Sequence, residues 1–262
     1  MDLELKDKVI IVTGGAKGIG EAIVKLLAGE GAIPVIIGRK ENDNLKVVDA
    51  LQQLGLSAGQ IQAELSEPAE CKKAVAAVME KYGRIDGLVN NAGANDGVSL
   101  ENGSYDEFMN SLHKNVVHYY LMAQEVLPAL KASKGVILNI GSKVAETGQG
   151  GTSGYAASNC ARNALTREWA VELLPYNIRV NAIIVAECYT PLYQTWINSL
   201  DNPEEKLASI TAKIPLGSRM TSAEEIANAA VFLLSERSSH TTGQLLHVDG
   251  GYVHLDRAIN KD

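Results

Sequence analysis

The chain has 262 residues, 46% apolar and 21% charged, proportions that suit a single full-sized core in water. Its net charge of −7 offers no electrostatic footprint for nucleic acid or an anionic membrane surface. No apolar run approaches the ~18 residues of a membrane span, and the run after the charged start is about six residues long, too short for a secretory leader. The three cysteines, Cys71, Cys160 and Cys188, are scattered without CxxC spacing, which points to a reduced, cytoplasmic chain. The five histidines stand far apart with no metal-ligand spacing, so no metal site is expected.

Apolar runs alternate with amphipathic stretches along the whole chain. A β-rich run at 9–12 is closed by Gly14 and Gly15, and a helical pattern follows at 19–30. A second run at 34–37 ends on Gly38, and weaker runs lie at 60–65 and 88–89. Helical patterns cover 68–82 and 105–130, a strong run covers 136–140, and a further helical pattern covers 155–174. Runs at 180–185 and 245–248 complete the series. Short, nearly continuous apolar runs suit parallel strands buried on both faces, and their alternation with helices implies βαβ units. The expected fold is α/β: one doubly wound, Rossmann-type domain over 1–262, with a parallel sheet of about seven strands and helices on both faces. No repeat or linker divides it. The long excursion at 190–217 holds a helical stretch with Pro191, Pro203 and Pro215 and reads as a substrate lid.

Thr13-Gly14-Gly15-Ala16-Lys17-Gly18-Ile19-Gly20 follows the first strand and opens the first helix. Glycines allow a tight turn and close approach of backbone to a pyrophosphate, and the helix N-terminus supplies free N–H donors. A dinucleotide is therefore expected here. The tip of the second strand reads Gly38-Arg39-Lys40, not the carboxylate that would hold a ribose 2′-hydroxyl. A guanidinium there suits a 2′-phosphate, and Lys17 adds a second positive charge. NADP is the preferred cofactor, NAD the alternative, with Glu41 still able to reach a ribose. Glu64, after the third strand, is a candidate for the adenine edge.

Asn90-Asn91-Ala92-Gly93 closes the fourth strand. With the glycine turn, Asp86, Asn115, Ser142, Tyr155, Arg179-Val180-Asn181 and Val248-Asp249-Gly250-Gly251, it makes the chain resemble the short-chain dehydrogenase/reductase family over essentially its whole length. The resemblance implies a catalytic set of asparagine, serine, tyrosine and lysine. The tyrosine exchanges a proton with the substrate oxygen, the serine positions that oxygen, the asparagine supports a water relay, and the lysine favours the tyrosinate and holds the ribose. Asn115, Ser142 and Tyr155 match, the last two thirteen positions apart. The lysine position is Asn159. Four residues beyond Tyr155, it should share that residue's helix face. An amide can bond a ribose hydroxyl but carries no charge, so an enzyme with a lowered rate or an alkaline-shifted pH profile is expected. Lys143, beside Ser142, is a possible substitute. The cofactor set implied in full is Gly14, Lys17, Gly18, Ile19, Gly20, Arg39, Glu64, Leu65, Asn91, Ala92, Gly93, Tyr155, Asn159, Cys188 and Thr190.

The loops beyond the strand ends are polar, and Asn95, Ser142, Gln149, Glu187 and Tyr193 are the candidates for substrate. Buried hydroxyls need partners, so carboxylates and amides suit a polyhydroxylated ligand. Thr147-Gly148-Gln149-Gly150, Thr190-Pro191-Leu192-Tyr193 and Gly251-Tyr252-Val253-His254-Leu255-Asp256, among other segments, are similar to the L-fucose dehydrogenase branch of the family. That likeness implies oxidation of a sugar's anomeric hydroxyl to a lactone. The rival readings are a carbonyl or steroid-type reductase, which would want an apolar pocket, and a cofactor-binding protein without turnover. The resemblance also implies a homotetramer or homodimer.

Overall fold

The computed structural model describes residues 2–256; Met1 and 257–262, which the expected domain includes, lie outside the described residues. In chain order the elements are β1 (Val9–Thr13), α1 (Gly18–Gly29), β2 (Ile33–Gly38), α2 (Glu41–Gln53), β3 (Gly59–Gln62), α3 (Pro68–Tyr82) and β4 (Gly87–Asn90). There follow α4 (Tyr105–Leu112), α5 (His118–Ser133), β5 (Val136–Ser142), α6 (Ser153–Glu172), β6 (Arg179–Val185), α7 (Pro191–Ile197), α8 (Pro203–Thr211), α9 (Ala223–Leu234) and β7 (Leu245–Val248). The seven strands form one sheet in the order β3-β2-β1-β4-β5-β6-β7, and every pairing is parallel.

The period of two along β1 divides the core. Ile10 and Val12 point to one face, where they meet Ile23, Leu27 and Val24 of α1, Val48 and Leu51 of α2, and Ile226 and Val231 of α9. Val9 and Ile11 point to the other, among Val75 and Val78 of α3, Tyr119, Val126 and Leu130 of α5, and Trp169 of α6. Full burial of each such side chain stabilises by roughly 1.5–3 kcal/mol, so neither face tolerates a polar residue without a partner.

The expected elements are present, with three informative differences. The run at 60–65 forms strand only over Gly59–Gln62. Glu64 instead turns back: its carboxylate accepts from the N–H and hydroxyl of Ser66, and its own N–H donates to the carboxylate of Glu70 at 2.5 Å. The pattern at 105–130 is broken: α4 begins with a Ser104–Glu107 capping box, and a π turn, His113–Val117, separates it from α5. A turn of that kind hides in a 3.6-residue period, yet it aims Asn115. The excursion at 190–217 holds two short helices, α7 and α8, each opened by proline at its first turn, where a missing N–H costs nothing. No helix among the described residues is long and apolar enough to cross a membrane.

Candidate active site

The chain reverses its winding direction between β1 and β4, and a parallel sheet opens a crevice beyond the strand ends at such a point. Here that crevice is tied by two side chains, Thr13 at the end of β1 and Asn91 just after β4. The hydroxyl of Thr13 donates to the Val89 carbonyl and accepts from the N–H groups of Asn91 and Ala92 at 2.9 and 3.1 Å. The Asn91 amide donates back to the carbonyls of Thr13 and Gly14 at 2.9 and 3.3 Å. Gly14 and Gly18 both have positive φ, +64° and +57°, where a side chain would be strained. Lys17 precedes α1 in extended conformation with no side-chain cap, so the first N–H groups of the helix face the crevice.

The resulting cleft, about 680 Å³, is lined by Gly14, Lys17, Gly18, Ile19, Arg39, Glu64, Leu65, Asn91, Ala92, Gly93, Tyr155, Cys188 and Thr190, with Asn95 and Ser142. These span an adenosine-sized end by Arg39 and Leu65, a glycine cradle, and a reactive end by Ser142 and Tyr155, an arrangement that fits a nicotinamide dinucleotide. Two residues of the expected cofactor set do not line the cleft, nor do the expected catalytic Asn115 and substrate residues Gln149, Glu187 and Tyr193. Gly20 lies behind the turn, where a Cβ would come within 2.6 Å of the Asn91 amide and closer still to the Gly14 carbonyl. Its part is to let α1 close onto the turn. Asn159 is fully buried, with its amide N–H bonded to the Tyr155 carbonyl at 2.9 Å and its oxygen taken by Arg162 at 3.0 Å. An asparagine side chain is too short to extend past its own helix as a lysine does.

Asn115, also fully buried, accepts the Ala94 N–H at 2.8 Å and donates to the Ser111 carbonyl at 3.0 Å. Its side chain therefore holds the loop after β4, supporting the lining residues Gly93 and Ala94 from behind without lining the cleft itself. Ser142 ends β5 and Tyr155 lies in the first turn of α6; both reach the cleft. Cys188 is buried at the end of β6, and burial pushes its thiol up to about 12, so it stays a neutral wall.

Lys143 is not free to serve Tyr155. It is buried, paired with the Glu187 carboxylate, and its ammonium lies 4.0 Å from the Tyr252 ring centroid. The Tyr193 phenol hydrogen-bonds the same carboxylate; burial first, and then the charge of Glu187, pushes that phenol well above the usual tyrosine range. Tyr193 packs edge-on against Trp196 at 5.1 Å. Thus Glu187 and Tyr193 form a polar cluster with Lys143, whereas Gln149 sits exposed in its loop and joins neither group. Asn95 is exposed, its side chain accepting the Gly97 N–H at 3.2 Å.

Two features escaped the sequence reading. Arg162, in α6, is only 3% exposed and lines the cleft; its signal was an arginine one helical turn after the missing lysine. Glu146, His247 and His254, distant in sequence, bring ligand-type atoms within 4.8 Å of one another, where His247 already bonds Glu146 at 3.1 Å.

A dinucleotide cleft with a serine and a tyrosine at its reactive end defines an oxidoreductase that works on CH–OH groups or their carbonyls. A family model described as enoyl-(acyl carrier protein) reductase matches residues 14–253. A 3alpha-hydroxysteroid dehydrogenase of Mediterraneibacter gnavus is 37% identical, covering 95% of this chain and 98% of its own. An L-fucose dehydrogenase of Rattus norvegicus is 34% identical over 93% and 88%. Among solved structures, the Cj0485 dehydrogenase is 48% identical over 100% of both chains, with a TM-score of 0.94. The L-sorbose reductase of Gluconobacter frateurii, complexed with NADPH and L-sorbose, is 27% identical over 98% and 100%, with a TM-score of 0.93. The chain belongs to the short-chain dehydrogenase/reductase family, whose members use NAD or NADP.

His118 begins α5 beneath this site. It is 2% exposed, and burial, then the charge of Arg162, pushes its imidazole down to about 3. Unfolded, it would titrate near its ordinary 6.5. Its contribution is therefore intact above pH 6.5 and is lost as pH falls toward 3, at about 1.4 kcal/mol per unit. Between pH 7 and pH 5, urea unfolding should show a loss of about 2 kcal/mol that is absent from His118→Gln; equal losses in both proteins would refute this assignment.

Proposed function

We propose that the protein oxidises the anomeric hydroxyl of L-fucose or a similar aldose to a lactone, using NADP in preference to NAD. The observation that carries the substrate class is the polar cluster Lys143, Glu187 and Tyr193, whose first two members directly follow the cleft residues Ser142 and Ala186 in the chain. A polyhydroxylated ring offers hydroxyls to each of those groups, and burying it there leaves few polar atoms without partners. A steroid skeleton would instead strand the buried Lys143–Glu187 pair against hydrocarbon. The L-fucose dehydrogenase relative and the structure of a sugar reductase with its sugar support the same reading.

The chain's own residues divide the work. Ser142 donates a hydrogen bond to the reacting oxygen and fixes its direction. Tyr155, as phenolate, takes the hydroxyl proton while the carbon–oxygen double bond forms, and the reverse direction returns it. The dinucleotide, when bound, accepts the hydride released from the same carbon. The Gly14–Gly18 turn would hold the pyrophosphate on the end of α1, and the neutral Cys188 thiol and Thr190 would flank the nicotinamide end. Position 159 carries an amide where the family has a lysine, so a lowered rate or alkaline-shifted profile follows unless another cation serves the phenol. Exposed Leu246 on edge strand β7 and Phe232 on α9 support a homotetramer or homodimer.

Two measurements test this reading. A panel of aldoses, a steroid and an aromatic aldehyde, each with both cofactors, should show NADPH formation fastest with L-fucose or a close stereochemical relative. Faster reaction with the steroid would overturn the substrate class, and cofactor binding without turnover on any member would leave a binding protein. Cofactor choice should rest on Arg39, because Lys17 is already paired with Asp43 at 2.8 Å. A hydrogen bond between charged groups is worth about 1.5–3 kcal/mol. Arg39→Leu should therefore weaken NADP binding about 10- to 100-fold and leave NAD within about threefold; equal effects on both would show that Arg39 does not read the 2′-phosphate.

A further inference from the structure

A guanidinium enclosed by protein is costly unless something negative faces it. Among the described residues no carboxylate forms an ion pair with Arg162. Its partners are neutral: Nε donates to the Asn115 carbonyl at 2.7 Å, and Nη1 donates to the Ile140 carbonyl at 3.1 Å and to the Asn159 side-chain oxygen at 3.0 Å. Nη2 is buried with no partner, under the loop after β4, 2.8 Å from where a Cβ on Gly93 would stand. The guanidinium carbon lies 4.3 Å from the Tyr119 ring centroid and 5.9 Å from that of Tyr155.

The placement follows from helix geometry. Side chains lean toward the N-terminus of their helix, so the long arm of residue 162 brings its charge back to the level of 159 and toward 155. A lysine at 159 and an arginine at 162 would set two like charges three residues apart on one helix face. The chain has an amide at the first position and the cation at the second, with the two bonded to each other. We infer that Arg162 is the positioning residue that replaces the family's lysine charge, stabilising negative charge on the Tyr155 phenol oxygen as that phenol takes the substrate proton. The inference rests on the reading of Tyr155 as the proton-exchanging group.

The surroundings leave this charge dominant. From α5, His118 is held neutral and Tyr119 is pushed up to about 12 by burial. From the end of β6, Cys188 is likewise pushed up to about 12. Lys143 is committed to Glu187, and Lys114 stands exposed at the cleft rim. Three bonds to main chain and Asn159 fix the guanidinium, and arginine stays charged at any working pH.

The test compares the wild type, Arg162→Met and the exchange variant Asn159→Lys/Arg162→Met, each with and without Tyr155→Phe. Near-ultraviolet tyrosinate absorbance of the cofactor-free protein, taken as the difference made by Tyr155→Phe, reads the phenol without requiring turnover. The pH profile of kcat reads it in catalysis. A neighbouring cation is worth about 1–3 pH units. Arg162→Met should move both midpoints at least about 1 unit toward alkali, and the exchange variant, with the charge back at 159, should return them to within about half a unit of wild type. A folded Arg162→Met that keeps the wild-type midpoint and loses only thermal stability would overturn the inference and leave Arg162 a structural pin. If Arg162→Met does not fold, the exchange variant and Arg162→Lys decide: both keep the charge and should keep the midpoint, and an alkaline shift of 1 unit or more in both would overturn the assignment. A titration that moves as expected in a protein that oxidises nothing would instead sink the enzymatic reading while the charge assignment stands.

Discussion

The hydrogen-bonded tie between Thr13 and the Asn91–Ala92 segment is the contact on which the site depends. It joins the ends of β1 and β4, the two strands between which the chain changes its winding direction, and so fixes the width of the crevice. Thr13 is fully buried and satisfies two main-chain N–H groups that the sheet leaves unpaired at its edge. The glycine turn is anchored on the other side as well, the Gly14 N–H donating to the Ile37 carbonyl of β2 at 2.8 Å. Gly20 completes the device from behind, since only a residue without a Cβ lets α1 approach the turn so closely.

A second theme is the control of charge inside the reactive end. The described groups that could ionise there are mostly kept neutral by burial, as His118, Tyr119 and Cys188 show, or are paired, as Lys143 is with Glu187. The guanidinium of Arg162 is the exception. It also pins three pieces of backbone, through Asn115 in the π turn, Ile140 in β5 and, by way of Asn159, the first turns of α6. Electrostatic support placed on so rigid a frame requires no reorganisation when charge develops.

Much of this was legible in the sequence because it is written locally. The glycine turn and the run 136–140 follow from the strand and helix patterns, Ser142 and Tyr155 from the family resemblance, and the structure brings them to one cleft. What was not legible depends on the third dimension or on small departures from regular geometry. The π turn alters the direction of Asn115 without altering the apolar pattern that reads as one helix. The inward turn of Asn159 is set by Arg162, and nothing in a helical wheel says which of two buried polar residues reaches the cavity. Lys143 looked available for Tyr155 until its pairing with Glu187 was visible. Glu146, His247 and His254 converge only because β5 and β7 both end at the same edge of the sheet.

The central claim is that a phenol at the reactive end of a dinucleotide cleft exchanges the substrate proton. Equilibrium binding of NADPH to Tyr155→Phe, measured beside its steady-state turnover, separates the two halves of that claim. Removing one hydroxyl from the cleft wall should leave cofactor affinity within about threefold, while turnover falls by about 10²–10⁴, the size of a general acid–base contribution. Turnover retained to within tenfold, or no cofactor association in either protein, would contradict it.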